Sequence, residues 1–333
     1  MQTIYSAKLA PRPRIIYRRQ RWNTPDGDFI DVDWMDGDPP RKGHRNAPLY
    51  VLFHGLEGGS SSQYALSVIA AVRARRETGV VIHFRGCSGE INRLPRAYHS
   101  GDSAEIDWVL RRLKAMFPAQ PVFAAGVSLG GNALLKWLGE QGQAAHDVVR
   151  AAAAICAPLD LRASGLNLQR GFNMFYTRMF LSSMKKKSLQ TLANHPGLFD
   201  AAIMHRSRNL YEFDNVVTAP LHGYRDTDDY WSRASSKPWL TAIAVPTLII
   251  NARNDPFVPA ESLPLTHEVS RQVRLEYPAT GGHVGFIRGS FPGKFDWLPG
   301  RLLEHFDTVA HGGFAAANAI NLSAAPSPPV TAN

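Results

Sequence analysis

Gly126-Val127-Ser128-Leu129-Gly130 is the stretch whose reading decides the fold. It follows the apolar run Pro121 to Ala125 and precedes Asn132-Ala133-Leu134-Leu135-Lys136-Trp137-Leu138, a segment of helical character. A strand, a sharp turn and a helix in that order put a serine at the apex, in a backbone conformation that L-residues avoid. A side chain two positions before or after the serine would collide with the turn, and glycine at 126 and 130 removes both collisions. The apex also stands at a helix N-terminus, where free N–H groups and the helix dipole favour an incoming negative charge. Five such residues alone also fit a plain small-residue turn between buried elements; the strand-then-helix setting favours the chemical reading.

Outward from this turn, apolar runs alternate with helical patterns. Pro48 to Phe53 is a continuous apolar strand ending in His54-Gly55-Leu56-Glu57-Gly58-Gly59, and a helix follows with Tyr64, Val68, Ile69 and Val72 on one face. Val80 to Phe84 is the next strand, then a helix from about Ser103 carries Ile106, Val109, Leu110 and Leu113. Beyond the turn come strands at Ala151–Ala157, Pro246–Ile250 and Val273–Tyr277, and a last helix near Leu302 to Val309. Strands apolar on both faces, alternating with helices, predict a mostly parallel central sheet flanked by helices, the α/β class.

The alternation breaks between 162 and 238, which read as helices without strands, a helical cap or lid insertion. Within it, Phe172, Phe175 and Met179 share one helical face, widened by Tyr176 and Phe180. That face is expected to pack on the domain beneath; the functional alternative is a lid lining an acyl pocket or touching lipid. The predicted organisation is therefore a basic arm and β-hairpin over 1–45, with turn Thr24-Pro25-Asp26-Gly27, a core over 46–161 and 239–311, the insertion at 162–238, and a disordered tail at 312–333.

Net charge is +9 over 333 residues, and Lys8, Arg12, Arg14, Arg18, Arg19 and Arg21 supply six of it without an acid among residues 1–21. The excess is thus an arm, read as solvated or loosely packed, and not a basic groove, so nucleic acid is not an expected partner. The arm or the cap could touch an acidic membrane surface. No apolar core of a signal peptide follows the charges and no stretch is long enough to span a bilayer, which points to the cytoplasm. Cys87 and Cys156 cannot build a disulfide framework and are expected as buried free thiols. No ligand cluster or phosphate-binding loop indicates a metal or cofactor, so none is expected.

Active sites of open parallel sheets lie at the carboxyl ends of their strands. His54-Gly55, Ser128, Asp255 and His283 all fall there. A serine hydroxyl needs a base, histidine suits the task near neutral pH, and the imidazole needs an acid to hold its tautomer. The order Ser128, Asp255, His283 is that of the α/β-hydrolase sheet. His54, His83 and His99 read as structural histidines; Asp160, which also ends a strand, is the rival for the acid. The N–H groups of Leu129 and Leu56 are the candidate oxyanion donors.

His54 to Gly59, His83-Phe84-Arg85-Gly86-Cys87-Ser88-Gly89, Tyr98-His99-Ser100-Gly101, Gly126 to Gly130, Asn254-Asp255-Pro256-Phe257-Val258-Pro259 and the stretch from Leu210 to Tyr230 together resemble the YheT-type branch of the AB hydrolase superfamily. The resemblance runs from about residue 50 to 290 and implies a serine hydrolase with a helical cap, acting on carboxylic esters; relatives outside bacteria are described as lipid esterases or phospholipases. Carried over by position, it makes Ser128, Asp255 and His283 the triad. The expected substrate is a small-molecule or lipid ester. An acyltransferase using the same triad and a non-catalytic binding protein on this fold are the alternatives.

Overall fold

The computed structural model describes residues 12–36, 47–290 and 292–314. Its sheet is built from β1 (Ile16–Asn23), β2 (Phe29–Asp36), β3 (Leu49–Phe53), β4 (Thr78–Ile82), β5 (Val122–Val127), β6 (Ala151–Ile155), β7 (Thr247–Ile250) and β8 (Val273–Glu276). The spatial order is β1-β2-β4-β3-β5-β6-β7-β8. β1 and β2 run antiparallel at one edge, while β4, β3, β5, β6, β7 and β8 are mutually parallel. This is the mostly parallel, helix-flanked sheet expected from the alternation of strands and helices, in the α/β-hydrolase architecture that the resemblance implies.

Leu49, Val51 and Phe53 pack in one apolar layer and Tyr50 and Leu52 in the other, so β3 is buried on both faces. The first layer is closed by α2 (Ser103–Met116) and α3 (Leu129–Gln141), the second by α1 (Gln63–Ala74) and α7 (Trp297–Ala310). Chain α4 (Leu161–Leu168), α5 (Asn173–Asn194), α6 (Thr227–Ala234) and shorter turns fill the stretch between β6 and β7. Buried Asn132 of α3 ties them down: its Nδ2 donates to the carbonyls of Ser100 and Ala234, and its Oδ1 accepts the Ser236 N–H.

Register brings the strand ends into line. Phe53 pairs with Gly126, Val127 with Ile155, and Ile155 with Ile250, so the residues that follow these strands emerge side by side at one edge of the sheet.

Three expectations need correction. The loosely packed basic arm was expected to run through Arg21, but β1 carries Arg19 and Arg21 opposite Asp33 and Asp31 of β2. Both guanidiniums bind those carboxylates, at 2.7 Å for Arg19 and 2.8 Å for Arg21. Charges alternating at the strand period on two facing strands draw the segment into the sheet. Lys8 and the loop 37–46 lie outside the described residues. Cys87 is half-buried, not buried, because it follows β4 in a turn instead of ending the strand. At the other end, residues 312–314 of the expected disordered tail are placed, with the Phe314 ring against His305 at 5.8 Å; residues 315–333 lie outside the description. Among the described residues, no helix is long and apolar enough to cross a membrane.

Candidate active site

Ser128 stands between β5 and α3 with φ 52° and ψ −118°, a strained conformation for a residue with a side chain. Its N–H donates to the Ile155 carbonyl at 2.8 Å, and its own carbonyl accepts the Asn132 N–H, so both neighbours clamp the turn. The hydroxyl makes no helix-capping bond, which leaves it available for chemistry. A Cβ on Gly126 would run into the Gly130 carbonyl, and one on Gly130 would lie 2.5 Å from the His54 carbonyl oxygen. The tight turn thus has room for hydrogen alone at both positions.

Gly55 is the third close approach, since a Cβ there would lie 3.0 Å from Ser128 Cβ. Its N–H is tied to the Tyr64 hydroxyl at 2.9 Å. Leu56 follows, then Glu57 in the left-handed region at φ 55°. Among the described residues nothing accepts a hydrogen bond from the N–H of Leu56 or of Leu129. Two uncommitted donors therefore flank the serine, one from each loop.

Asp255 begins a turn after β7 and its side chain is fully buried. One carboxylate oxygen accepts the Phe257 N–H at 2.8 Å; the other accepts His283 Nδ1–H at 2.8 Å. Nε2 of the imidazole is thereby left as the acceptor. His283 and Ser128 line the same cavity. Asp160, the rival for the acid, instead caps α4, where it accepts the Ala163 N–H.

The loop bearing His283 is held by residues whose roles the sequence did not disclose. Oδ1 of Asn254, previously only a turn residue, accepts the N–H groups of both Gly281 and Gly282, at 3.0 and 2.9 Å. Cys156, strained at φ 49°, receives the Val284 N–H on its sulfur at 3.4 Å. The Phe257 ring lies 4.2 Å from the imidazole. Asparagine next to the acid was visible in the sequence, but its partners, 27 and 28 residues on, were not.

Cys156, Asp255 and His283 also place one donor atom each within 4.8 Å of one another, a cluster that sequence spacing could not reveal. Asp255 and His283 are in direct hydrogen-bond contact, and burial pushes the Cys156 thiol well above its usual pKa, which keeps it protonated. Such a closed, protonated set is a poor cation site.

The three histidines read as structural each hold a local contact. His54 is fully buried, accepts the Phe84 N–H on Nε2, and is pushed down by burial to about 3. His83 and Ser60 both bind Asp33, not each other. His99 accepts the Gly101 N–H, the loop contact expected of it.

The cavity over Ser128 has an apolar wall that includes Leu168, Phe180, Met184, Phe213 and Val217, and a polar side with Glu57, Tyr98 and Lys187. Lys187 of α5 reaches across to Glu57 at 2.8 Å, and the Tyr98 hydroxyl donates to the same oxygen. A correction falls here. Phe172, Phe175 and Met179 were expected to pack inward, yet they are 68%, 45% and 39% exposed. Tyr176, Phe180 and Leu181 point inward instead, because the helix buries the side that meets Phe257 and the turn at Leu210.

A protein family described as alpha/beta hydrolase fold matches residues 48–290. The chain is 40% identical over 292 residues to YheT of Escherichia coli (strain K12), a protein named as an esterase, with 87% of this chain and 84% of that one covered. It is 30% identical over 320 residues to the phospholipase ABHD3 of Mus musculus, covering 93% of this chain and 76% of that one. The Pyrococcus furiosus esterase Pf2001 superposes with a TM-score of 0.54 over 90% of this chain and 96% of its own at 15% identity, a likeness of fold.

Proposed function

The chain belongs to the alpha/beta hydrolase family, and on that footing we propose that it is a serine hydrolase cleaving carboxylic esters. The observation that carries this is the Asp255–His283 hydrogen bond of 2.8 Å at the wall of the cavity that Ser128 also lines. His283 Nε2 takes the Ser128 proton as the oxygen attacks the ester carbonyl carbon. The resulting oxyanion is met by the N–H groups of Leu56 and Leu129, at the positive end of α3. Collapse breaks the ester C–O bond, and His283 returns the proton to the departing alcohol. Water, deprotonated by His283, then cleaves the acyl-enzyme. Asp255 keeps the imidazole in the required tautomer and steadies its charged form.

In this reading the helices between β6 and β7 form the cap, residues 162–238, and its apolar wall receives the acyl chain. The substrate class is a short-chain or lipid acyl ester; the phospholipase name of the mouse relative supports the lipid side of that range. Two unpaired cysteines suit the reducing cytoplasm.

A fluorophosphonate probe is expected to label the wild type and not Ser128→Ala, and an unlabelled wild type would overturn the proposal. Nitrophenyl esters of graded acyl length then read the substrate. Added alcohol that yields transesterification above hydrolysis would mark an acyltransferase.

A further inference from the structure

We propose that the outward face of α5 docks on an anionic membrane surface. From Leu161 to Phe199 the chain carries Arg162, Arg170, Arg178, Lys185, Lys186 and Lys187 and no carboxylate. Phe172, Phe175 and Met179 recur on one side of the helix and are exposed; the first two rings stack at 5.9 Å. A helix that only covered the domain would turn these groups inward, and this one already buries Tyr176 and Leu181 on its other side.

The cations divide in the same way. Lys185 is held by the carbonyls of His205 and Ser207, and Lys187 by Glu57. Arg170, Arg178 and Lys186 are exposed, beside the apolar strip. Aromatic and sulfur side chains flanked by exposed cations, on a helix whose own sequence holds no acid, are what an interfacial helix presents to anionic lipid. A second copy of this chain would bring the same cations face to face, which disfavours self-association.

The location gives docking a purpose. Phe172 touches Tyr176 at 5.9 Å, Tyr176 touches Phe257 at 4.7 Å, and Phe257 touches His283 at 4.2 Å. Three ring contacts thus join the exposed strip to the imidazole, so docking brings the cavity close to the surface that holds the ester. That purpose rests on the hydrolase reading; the docking itself does not, because vesicle binding is measured without turnover.

The test is co-sedimentation of the full chain with vesicles of phosphatidylcholine alone and of phosphatidylcholine mixed with phosphatidylglycerol. Wild type is expected to bind the mixed vesicles at least about tenfold more tightly, and less tightly as salt rises. The triple variant R170Q/R178Q/K186Q is expected to lose about fivefold for each cation removed. F172S/F175S is expected to lose binding too, and both variants should keep wild-type hydrolysis of a soluble ester, since none of these residues lines the cavity. Wild type that ignores anionic vesicles, or variants that bind as wild type does, would overturn the proposal. A dimer abolished by F172S/F175S without vesicle binding would reassign the face to a second copy and overturn it equally.

Discussion

Replacing Asn254 by alanine removes two hydrogen bonds that tie the acid turn to the histidine loop without passing through the reacting groups. Oδ1 of Asn254 accepts the Gly281 and Gly282 N–H groups at 3.0 and 2.9 Å. Each bond contributes about 1 kcal/mol net, so the loss is about 2 kcal/mol. In a protein of this size that lowers Tm by about 3 °C. Gly282 at φ 58° and Val284 at φ 63° bracket His283, so the freed segment relaxes away from its present path. An imidazole displaced by about 1 Å costs about 100-fold in kcat/KM. Asn254→Asp keeps the acceptor while changing the amide. Its carboxylate still accepts both N–H groups, so the loop stays and most of the lost Tm and kcat/KM returns. Thermal melts and steady-state kinetics on a nitrophenyl ester decide it. Wild-type kcat/KM in Asn254→Ala, or Asn254→Asp as damaged as Asn254→Ala, would refute the reasoning.

Gly126→Ala and Gly130→Ala each push a methyl group into backbone at the turn, and should destabilise by at least about 3 kcal/mol in chemical denaturation. Lys187→Met breaks the ion pair with Glu57, which is partly exposed, so stability should change by less than about 1 kcal/mol. Glu57 adjoins the Leu56 donor, so kcat on a soluble ester should fall about three- to tenfold, read from steady-state kinetics. Asp214, buried and bound by Thr218 and Trp231, is pushed up by burial to about 6. A carboxyl raised in the folded state stabilises below its unfolded pKa and loses that contribution as pH rises through the folded value. The whole amounts to about 3 kcal/mol, of which roughly half should vanish between pH 5 and pH 8, and Asp214→Asn should flatten that slope in urea titrations.

The parallel sheet and the serine turn were legible because their signals are local. Unbroken apolar runs such as Leu49 to Phe53, and glycine where a methyl has no room, do not depend on distant residues. The order Ser128, Asp255, His283 was equally readable, since each follows a recognisable strand. Which way α5 turned was not, for Phe172 and Tyr176 are both aromatic and the contact with Phe257, distant in sequence, distinguishes their sides. Nor was the fate of the arginines in β1, whose partners Asp31 and Asp33 depend on the hairpin register.

By itself, then, the chain determined the layered architecture and the residue types at the strand ends, through periodicity and steric demand within a few residues. Tertiary structure decided which groups meet: Asp255 and not Asp160 beside His283, Asn254 across to Gly281 and Gly282, Lys187 over Glu57. Hydrogen bonds and ion pairs form between atoms that packing brings within about 3 Å, and separation along the chain carries no record of that distance.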